Sequence, residues 1–319
     1  RGELAFPKNG DQFESLIKKI IPTQLPKIYL ESFASFRQKS LKRYPKKTKV
    51  IYATNALYLD EGFKFWAAER IDNGGKLIAG QHGGTYGSAL LMGHESHETK
   101  VSDRFFTWGW ADEKVEKLVS VPAAQLIKAK DEIKPNCDGY ILWLPLICPR
   151  YEFRMVSLPF GANYVRYMED QETFASFVNP DVYDLLIFRI QKNIFSSSLE
   201  DRCLDEKVRF GKIYRGKKTM AQQLSECRLS IATYNSTTFL ETFVANYPTI
   251  MFWNPKHSEL RKSAQPYYDD LRRAEILHDS PESAAAKAND IYRDPLSWWM
   301  SEKVQASKKK FCHRFARSG

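Results

Sequence analysis

Long hydrophobic runs are missing from this 319-residue sequence. The longest uncharged apolar stretches, such as residues 139–148 (GYILWLPLIC), reach about ten residues, against roughly 20 for a helix that spans a bilayer. An integral helical membrane protein is thereby excluded. Cysteine is scarce and scattered: Cys137, Cys148, Cys203, Cys227 and Cys312 form an odd count without a C-x-x-C pair. That pattern argues against a disulfide framework and a zinc ribbon, and for the reducing cytoplasm. There is no Asp-x-Asp to hold a metal-bound nucleotide diphosphate, no Gly-Lys-Ser/Thr of a Walker A loop and no G-x-S-x-G elbow. No basic stretch leads into an apolar one at the start, so no secretory signal is read, and a chain that opens on Arg1 is expected to be a fragment.

What is present is ordinary globular composition, 43% apolar and 27% charged, in a length that suits about two domains. Forty-eight Lys and Arg face 38 Asp and Glu, a formal charge of +10 that favours an anionic partner. The excess is clustered, from Arg37 to Lys49 and again in Lys308, Lys309, Lys310, Arg314 and Arg317. Such runs are either solvated helix faces or a patch that meets nucleic acid, anionic lipid or phosphorylated substrate. Trp298 and Trp299 beside the second run suit a peripheral contact with the inner face of the cytoplasmic membrane.

The hydrophobic period divides the chain. Phe13, Leu16, Ile17, Ile20 and Ile21 follow helical spacing, and residues 26–43 form a second amphipathic segment. From residue 49 the pattern turns to short apolar strands alternating with helices: 49–53, a helix at 63–71, an Asn73-Gly74-Gly75 stop, and 76–80. Strand, helix and strand within about 30 residues is the βαβ signature of a parallel sheet. Further strands are expected at 105–108, 118–121, 140–144, 185–189, 211–214, 229–233 and 249–253, with helices at 167–177, 220–227 and 236–245 and three more at the end. The proline-rich stretch 145–161 is the expected linker. The fold class is therefore α/β, two doubly wound halves meeting at a cleft. Residues 1–150 are a helical lead-in plus one domain, and 151–319 a second domain with C-terminal helices.

Ligands of such sheets bind at the carboxyl ends of strands, so the loops after strands are where chemistry is sought. Gly80-Gln81-His82-Gly83-Gly84-Thr85-Tyr86-Gly87 follows one strand directly. Its four glycines allow close backbone approach, and His82 offers an imidazole that titrates near neutrality. Asp60 and Glu61 follow the preceding strand, either as caps of a helix or as a carboxylate base or nucleophile that converges with His82. Asn235, Ser236, Thr237 and Thr238 follow a later strand and open a helix, a setting for an anion. Glu241 lies one turn on, placed to accept from ribose hydroxyls or to complete a capping box. Arg189 ends an apolar strand, where a guanidinium suits phosphate, carboxylate or a structural ion pair. His94 and His97 (HESH) are read as polar surface residues.

GQHGGTYG (80–87), SDRFFTWGW (102–110), YLDEGFKFWAAE (58–69), TYNSTTFLE (233–241), NPKHSEL (254–260) and HDSPESAA (278–285) together resemble the bacterial surface-polysaccharide transferases. These are GT-B type glycosyltransferases similar to the β-Kdo transferases of lipopolysaccharide and capsule assembly. The resemblance runs from about residue 48 to the end and implies two Rossmann-like domains, acceptor-side first and nucleotide-sugar second. It assigns Asn235, Ser236 and Thr237 to the donor phosphate, Glu241 to the nucleotide and Arg189 to the donor domain, with Thr238 counted among the donor-binding residues. His82 with Asp60 or Glu61 would be catalytic, and Gln81, Gly83, Gly84 and Tyr86 would face the sugar. It implies a glycan or glycolipid acceptor, a nucleotide-sugar substrate such as CMP-Kdo, and neither a cofactor nor a metal. The alternatives weighed are a CDP-alcohol polyol-phosphate transferase and a basic nucleic-acid-binding protein, the latter without any recognisable nucleic-acid motif.

Overall fold

The computed structural model describes residues 11–146, 159, 161–190, 212–214 and 216–319. The chain separates into two compact units, residues 1–80 with 101–103, and residues 81–100 with 104–319. Most of the expected linker, 145–161, lies outside the described residues, as do Cys148, Cys203 and the expected strand start at Gly211.

The first unit opens with two helices, α1 (Gln12–Gln24) and α2 (Phe33–Arg43). Asp11 caps α1 by accepting from the Glu14 N–H. The apolar stripe read from the sequence is real, but Phe13, Leu16, Ile17 and Ile20 remain exposed. Next come β1 (Val50–Ala53), α3 (Ala56–Leu59), α4 (Glu61–Asp72) and β2 (Lys76–Gly80). β1 and β2 pair in parallel, Ile51 against Leu77, which is the βαβ unit expected from the sequence. The glycine stop closes α4: Gly74 has φ +83, and the Gly75 N–H donates back to the Arg70 carbonyl at 2.8 Å.

The second unit begins with α5 (Gly93–Val101, all but its last residue in this unit), β3 (Arg104–Thr107), β4 (Leu118–Ser120), α6 (Ala124–Glu132) and β5 (Tyr140–Leu144). After these come α7 (Ala162–Phe177), α8 (Pro180–Tyr183), β6 (Leu186–Arg189), β7 (Lys212–Tyr214), α9 (Met220–Leu224) and β8 (Cys227–Ala232). The chain ends with α10 (Thr237–Val244), β9 (Thr249–Phe252), α11 (Gln265–Arg273), β10 (Leu277–His278), α12 (Pro281–Ile291), α13 (Pro295–Trp299) and α14 (Glu302–Phe315). Four helices close the chain where three were expected, because Asp294 caps α13 and separates it from its neighbours.

All strand pairings are parallel, β3 with β4 and then a six-stranded sheet in the order β10-β9-β8-β5-β6-β7. β5, which falls before residue 150, is an inner strand of this sheet. Strand order reverses between β5 and β8, so the crevice outside their carboxyl ends is the switch point where ligands of such sheets bind. The core behind it is large and aromatic: Trp143, Phe174, Phe188 and Phe252 are buried together. Trp143 stands edge-on to Phe188 at 4.8 Å and donates its indole N–H to Gln171.

The interfacial role expected of the tryptophan pair does not survive. Trp299 is fully buried and donates to Asn246, and Trp298 packs partly buried against the core under the Lys287 ammonium. The adjacent basic run is engaged too, Lys308 donating to Asn246 and Lys310 pairing with Asp270. No helix among the described residues is long and apolar enough to cross a membrane.

Candidate functional site

Thr233, directly after β8, ties that strand end to the end of β5. Its hydroxyl donates to the Leu144 carbonyl at 2.9 Å and lies 2.6 Å from the Tyr167 hydroxyl, which accepts from the Leu146 N–H. The chain then turns into α10 through Asn235 and Ser236. Ser236 is the N-cap but makes no side-chain capping bond, so the first-turn N–H groups of α10 lack the usual partner. The hydroxyls of Ser236 and Thr238 are hydrogen-bonded to the Tyr234 phenol, whose pKa is raised mainly by burial. Asn235 is 2% exposed; its Oδ1 accepts from Tyr268, while its Nδ2 is a buried donor without a partner. An orphaned amide at the mouth of an uncapped helix is a cost that a bound acceptor would remove.

Thr237 links this helix start to the glycine loop. Its Oγ1 accepts from the Gly84 N–H at 2.9 Å, across 153 residues of sequence. Gly84 lies so close that a Cβ would stand 2.4 Å from the Ser236 carbonyl oxygen, which is why this position needs glycine. At Gly83 a Cβ would find ordinary room beside Thr237. Gln81 is a clamp: its Oε1 accepts from the Trp108 N–H and the Trp110 indole, and its Nε2 donates to Gly83.

Tyr86 is also turned inward, 2% exposed. Its hydroxyl donates to Glu98 Oε2 at 2.9 Å and stands 3.1 Å from each ring nitrogen of His82. His82 is partly buried, with Nδ1 3.7 Å from Glu98 Oε1. Burial pushes the Glu98 carboxyl up to about 7; the Tyr86 hydrogen bond pulls it down and the Glu95 charge adds to the rise. Glu95 is compensated by Arg261 at 2.6 Å and by the Gly87 N–H. Arg261 directly follows the NPKHSEL segment, which also holds the loop through Leu90 N–H to the Glu259 carbonyl and an Ala89–Leu260 bridge. The sequence reading missed Glu95 and Glu98. The signal was their own spacing, three apart and each directly after one of the two histidines that drew attention; His97 is exposed, whereas His94 comes within 6.3 Å of the His82 ring.

The remaining expected residues are placed elsewhere. Glu241 accepts from Gln125 rather than closing a capping box, and burial raises its pKa. Arg189 donates to Gln223 and, at 3.0 Å, to the Lys218 carbonyl, with its guanidinium 5.8 Å from the Tyr214 ring centre. Its polar contacts thus run toward β7 and α9. In the first unit, Asp60 caps α4 through the Phe63 N–H and accepts from Tyr44 at 2.7 Å. The Tyr44 bond, the Phe63 N–H and Arg43 hold its carboxyl below the ordinary range against the cost of burial. Glu61 pairs with Lys64 and accepts from Tyr29; burial pushes its pKa up, but these partners win and the net shift is downward. Both acids line a cavity of about 440 Å³ with Lys39, Ser40 and Arg43. Among the described residues no three His, Cys, Asp or Glu side chains cluster closely enough to hold a metal ion.

A family model described as "LIC12162 family transferase" matches residues 1–319. The chain belongs to this family of transferases. Two solved structures are similar to this transferase. One is MurG of Acinetobacter baumannii, 12% identical, with a TM-score of 0.40 over 88% of this chain and 73% of that one. The other is an alpha-glucosyltransferase in complex with UDP and a 13-mer DNA containing a central A:G mismatch, 12% identical, with a TM-score of 0.43 over 88% and 80%. No curated protein matches the LIC12162 family transferase described here.

Proposed function

We propose that this transferase is a glycosyltransferase of GT-B type that binds a nucleotide-activated sugar at the start of α10 and passes the sugar to a glycan or glycolipid hydroxyl. The observation that carries the reading is the hydrogen bond from Gly84 to Thr237, which joins the histidine loop to an uncapped helix start at the switch point of the sheet. The donor phosphate would take the free N–H groups of α10, with Asn235 Nδ2 beside it, and the helix dipole would favour the charge that grows on the leaving phosphate. His82, two residues before Gly84, is the group we assign to proton transfer. Asp60 and Glu61 rank behind it, because capping and ion pairing already occupy both.

Within that class, the motif resemblance supports a CMP-activated acidic sugar such as Kdo as donor and a lipopolysaccharide or capsule glycan as acceptor. One phosphate at one helix terminus suits a nucleoside-monophosphate sugar. A peripheral contact with an anionic membrane surface is assigned to the exposed residues Lys39, Lys42, Lys46, Lys47 and Lys49.

Thermal unfolding with CMP, CDP, UDP and GDP tests the donor class. Saturation at about 100 times Kd stabilises by roughly 2.7 kcal/mol, and a shift with CMP that disappears in Gly84→Ala is expected. No shift with any nucleotide overturns the reading. A phosphodiester rather than a glycosidic bond in the product would replace it with polyol-phosphate transfer.

A further inference from the structure

Away from the start of α10, at its carboxyl end, the second unit holds a cavity of about 610 Å³ bordered by α6, α10, α14 and the residues that follow α14. Its apolar lining includes Phe243 and Val244 from α10 and Cys312 from α14. Burial pushes the Cys312 thiol up to about 12, so it stays neutral and adds to the apolar surface. The charged lining is of one sign for the most part: Lys130, Lys308, Lys309 and Arg317 against the carboxylate of Glu302, among the described residues. None of the four cations is ion-paired among the described residues, whereas Lys310 on the same helix pairs with Asp270. Like charges that face one cavity repel each other unless an anion enters.

Lys308 shows this most clearly. It is partly buried, and its ammonium donates to Asn246 Oδ1 at 2.6 Å. The same oxygen accepts from the Trp299 indole at 3.1 Å and from Gln305 Nε2 at 3.0 Å. A carbonyl oxygen has two lone pairs and an ammonium three donors, so the acceptor is oversubscribed and Lys308 keeps donor capacity. Burial lowers the Lys308 pKa, the cost of an ammonium that meets a neutral amide instead of a counter-charge. The walls are fixed by packing. Phe311 of α14 stands edge-on to Phe243 at 5.7 Å. Arg317 is tied at both backbone groups, its N–H to the Trp108 carbonyl at 2.9 Å and its carbonyl to the Ala123 N–H at 2.8 Å.

A cavity of this volume is in the range of small-molecule sites, and its mixed lining fits a ligand with both an anion and a hydrocarbon part. A carboxylate would bring one charge. A phosphate monoester brings about −1.5 to −2 and three acceptor oxygens, which suits several cations at once.

We propose that this cavity binds the headgroup and first methylenes of a lipid phosphate, with Lys308 and Lys309 on the phosphate and Phe243, Val244 and Cys312 against the chain. The site goes beyond the transferase reading and does not depend on it, because none of these residues belongs to the start of α10.

The test is calorimetric titration of the full chain with four probes below their aggregation limits: octyl phosphate, inorganic phosphate, octanoate and octyl glucoside. Octyl phosphate should bind one to one, and each methylene removed from the buried part of its tail should weaken binding about fourfold. The probes that lack the tail, the phosphate or the charge should each bind weaker by about tenfold or more. Lys308→Gln/Lys309→Gln should weaken octyl phosphate by about tenfold or more. Lys308→Arg/Lys309→Arg should keep most of the affinity, and Lys303→Gln, on the same helix but outside the lining, should keep all of it. His313 also lines the cavity. Its ¹⁵N NMR signal, identified by its loss in His313→Gln, should shift with octyl phosphate in the wild-type chain while that of His82 stays in place, a readout that stands even where a lysine variant fails to fold. Equal affinity for inorganic and octyl phosphate overturns the lipid class, and equal affinity for octanoate overturns the phosphate. Binding unchanged in the folded glutamine pair, an unmoved His313 signal, or no binding of octyl phosphate overturns the site itself.

Discussion

Two acidic pairs in this molecule have the same chemistry and opposite settings. Asp60 and Glu61 sit at the start of α4 with side chains 30% and 35% exposed, each satisfied by local partners, and both titrate below the ordinary carboxylate range. Glu95 and Glu98 lie one turn apart on α5 with side chains 7% and 1% exposed, and Glu98 is pushed to about 7. A carboxylate that already caps a helix and pairs with a lysine is held in its charged form. One that is buried beside a tyrosine and a histidine is poised to exchange a proton, which is the property that marks acid–base sites.

The largest expected effect breaks or upholds that comparison directly. His82→Gln should reduce transfer by about 10²- to 10⁴-fold, the usual range for a positioned acid–base group, and the double variant Asp60→Asn/Glu61→Gln by far less. Steady-state kinetics on both proteins decides, and the reverse order would make the first-unit pair the catalytic one.

Stability against pH should separate the pairs by sign. Glu98 has a folded pKa raised from 4.5 to about 7, so its protonated form favours folding at low pH. That contribution is lost as pH rises through about 7, at a cost of about 3 kcal/mol at most. Glu98→Gln should remove this loss, flattening the melting temperature between pH 5 and about pH 8. Asp60 and Glu61 have folded values lowered, so their contribution is present above the carboxylate range and is lost as pH falls through it.

A smaller effect concerns the cap. Asp60→Ala removes the acceptor for the Phe63 N–H and should cost about 1 kcal/mol, read by chemical denaturation. Smallest is Glu61→Gln, where an exposed i,i+3 pair with Lys64 contributes no more than about 0.5 kcal/mol. That difference should vanish in high salt.

Much of this was legible in local sequence. The KVIYA and KLIAG runs with a glycine stop between them were enough for β1, α4 and β2, and the apolar strands followed by polar loops located the carboxyl ends at which the candidate site is proposed. The parallel α/β class followed from the same alternation. The histidine loop and the TYNSTT helix start were each visible as motifs. That Gly84 would donate to Thr237 was not, since the two are far apart in sequence and nothing local encodes which loops meet.

The sequence by itself determined the elements, because hydrophobic period, glycine stops and capping residues act within a few positions. Tertiary structure alone decided the order of strands, with β5 placed between β8 and β6, and the fate of individual side chains. It buried Trp299 instead of leaving it for a membrane, left the apolar stripe of α1 exposed, and turned Gln81 and Tyr86 into supports rather than sugar contacts. It also enclosed Glu98 against His82. Burial and long-range pairing depend on the whole chain closing on itself, and these set the charge state of an acid more strongly than its neighbours in sequence do.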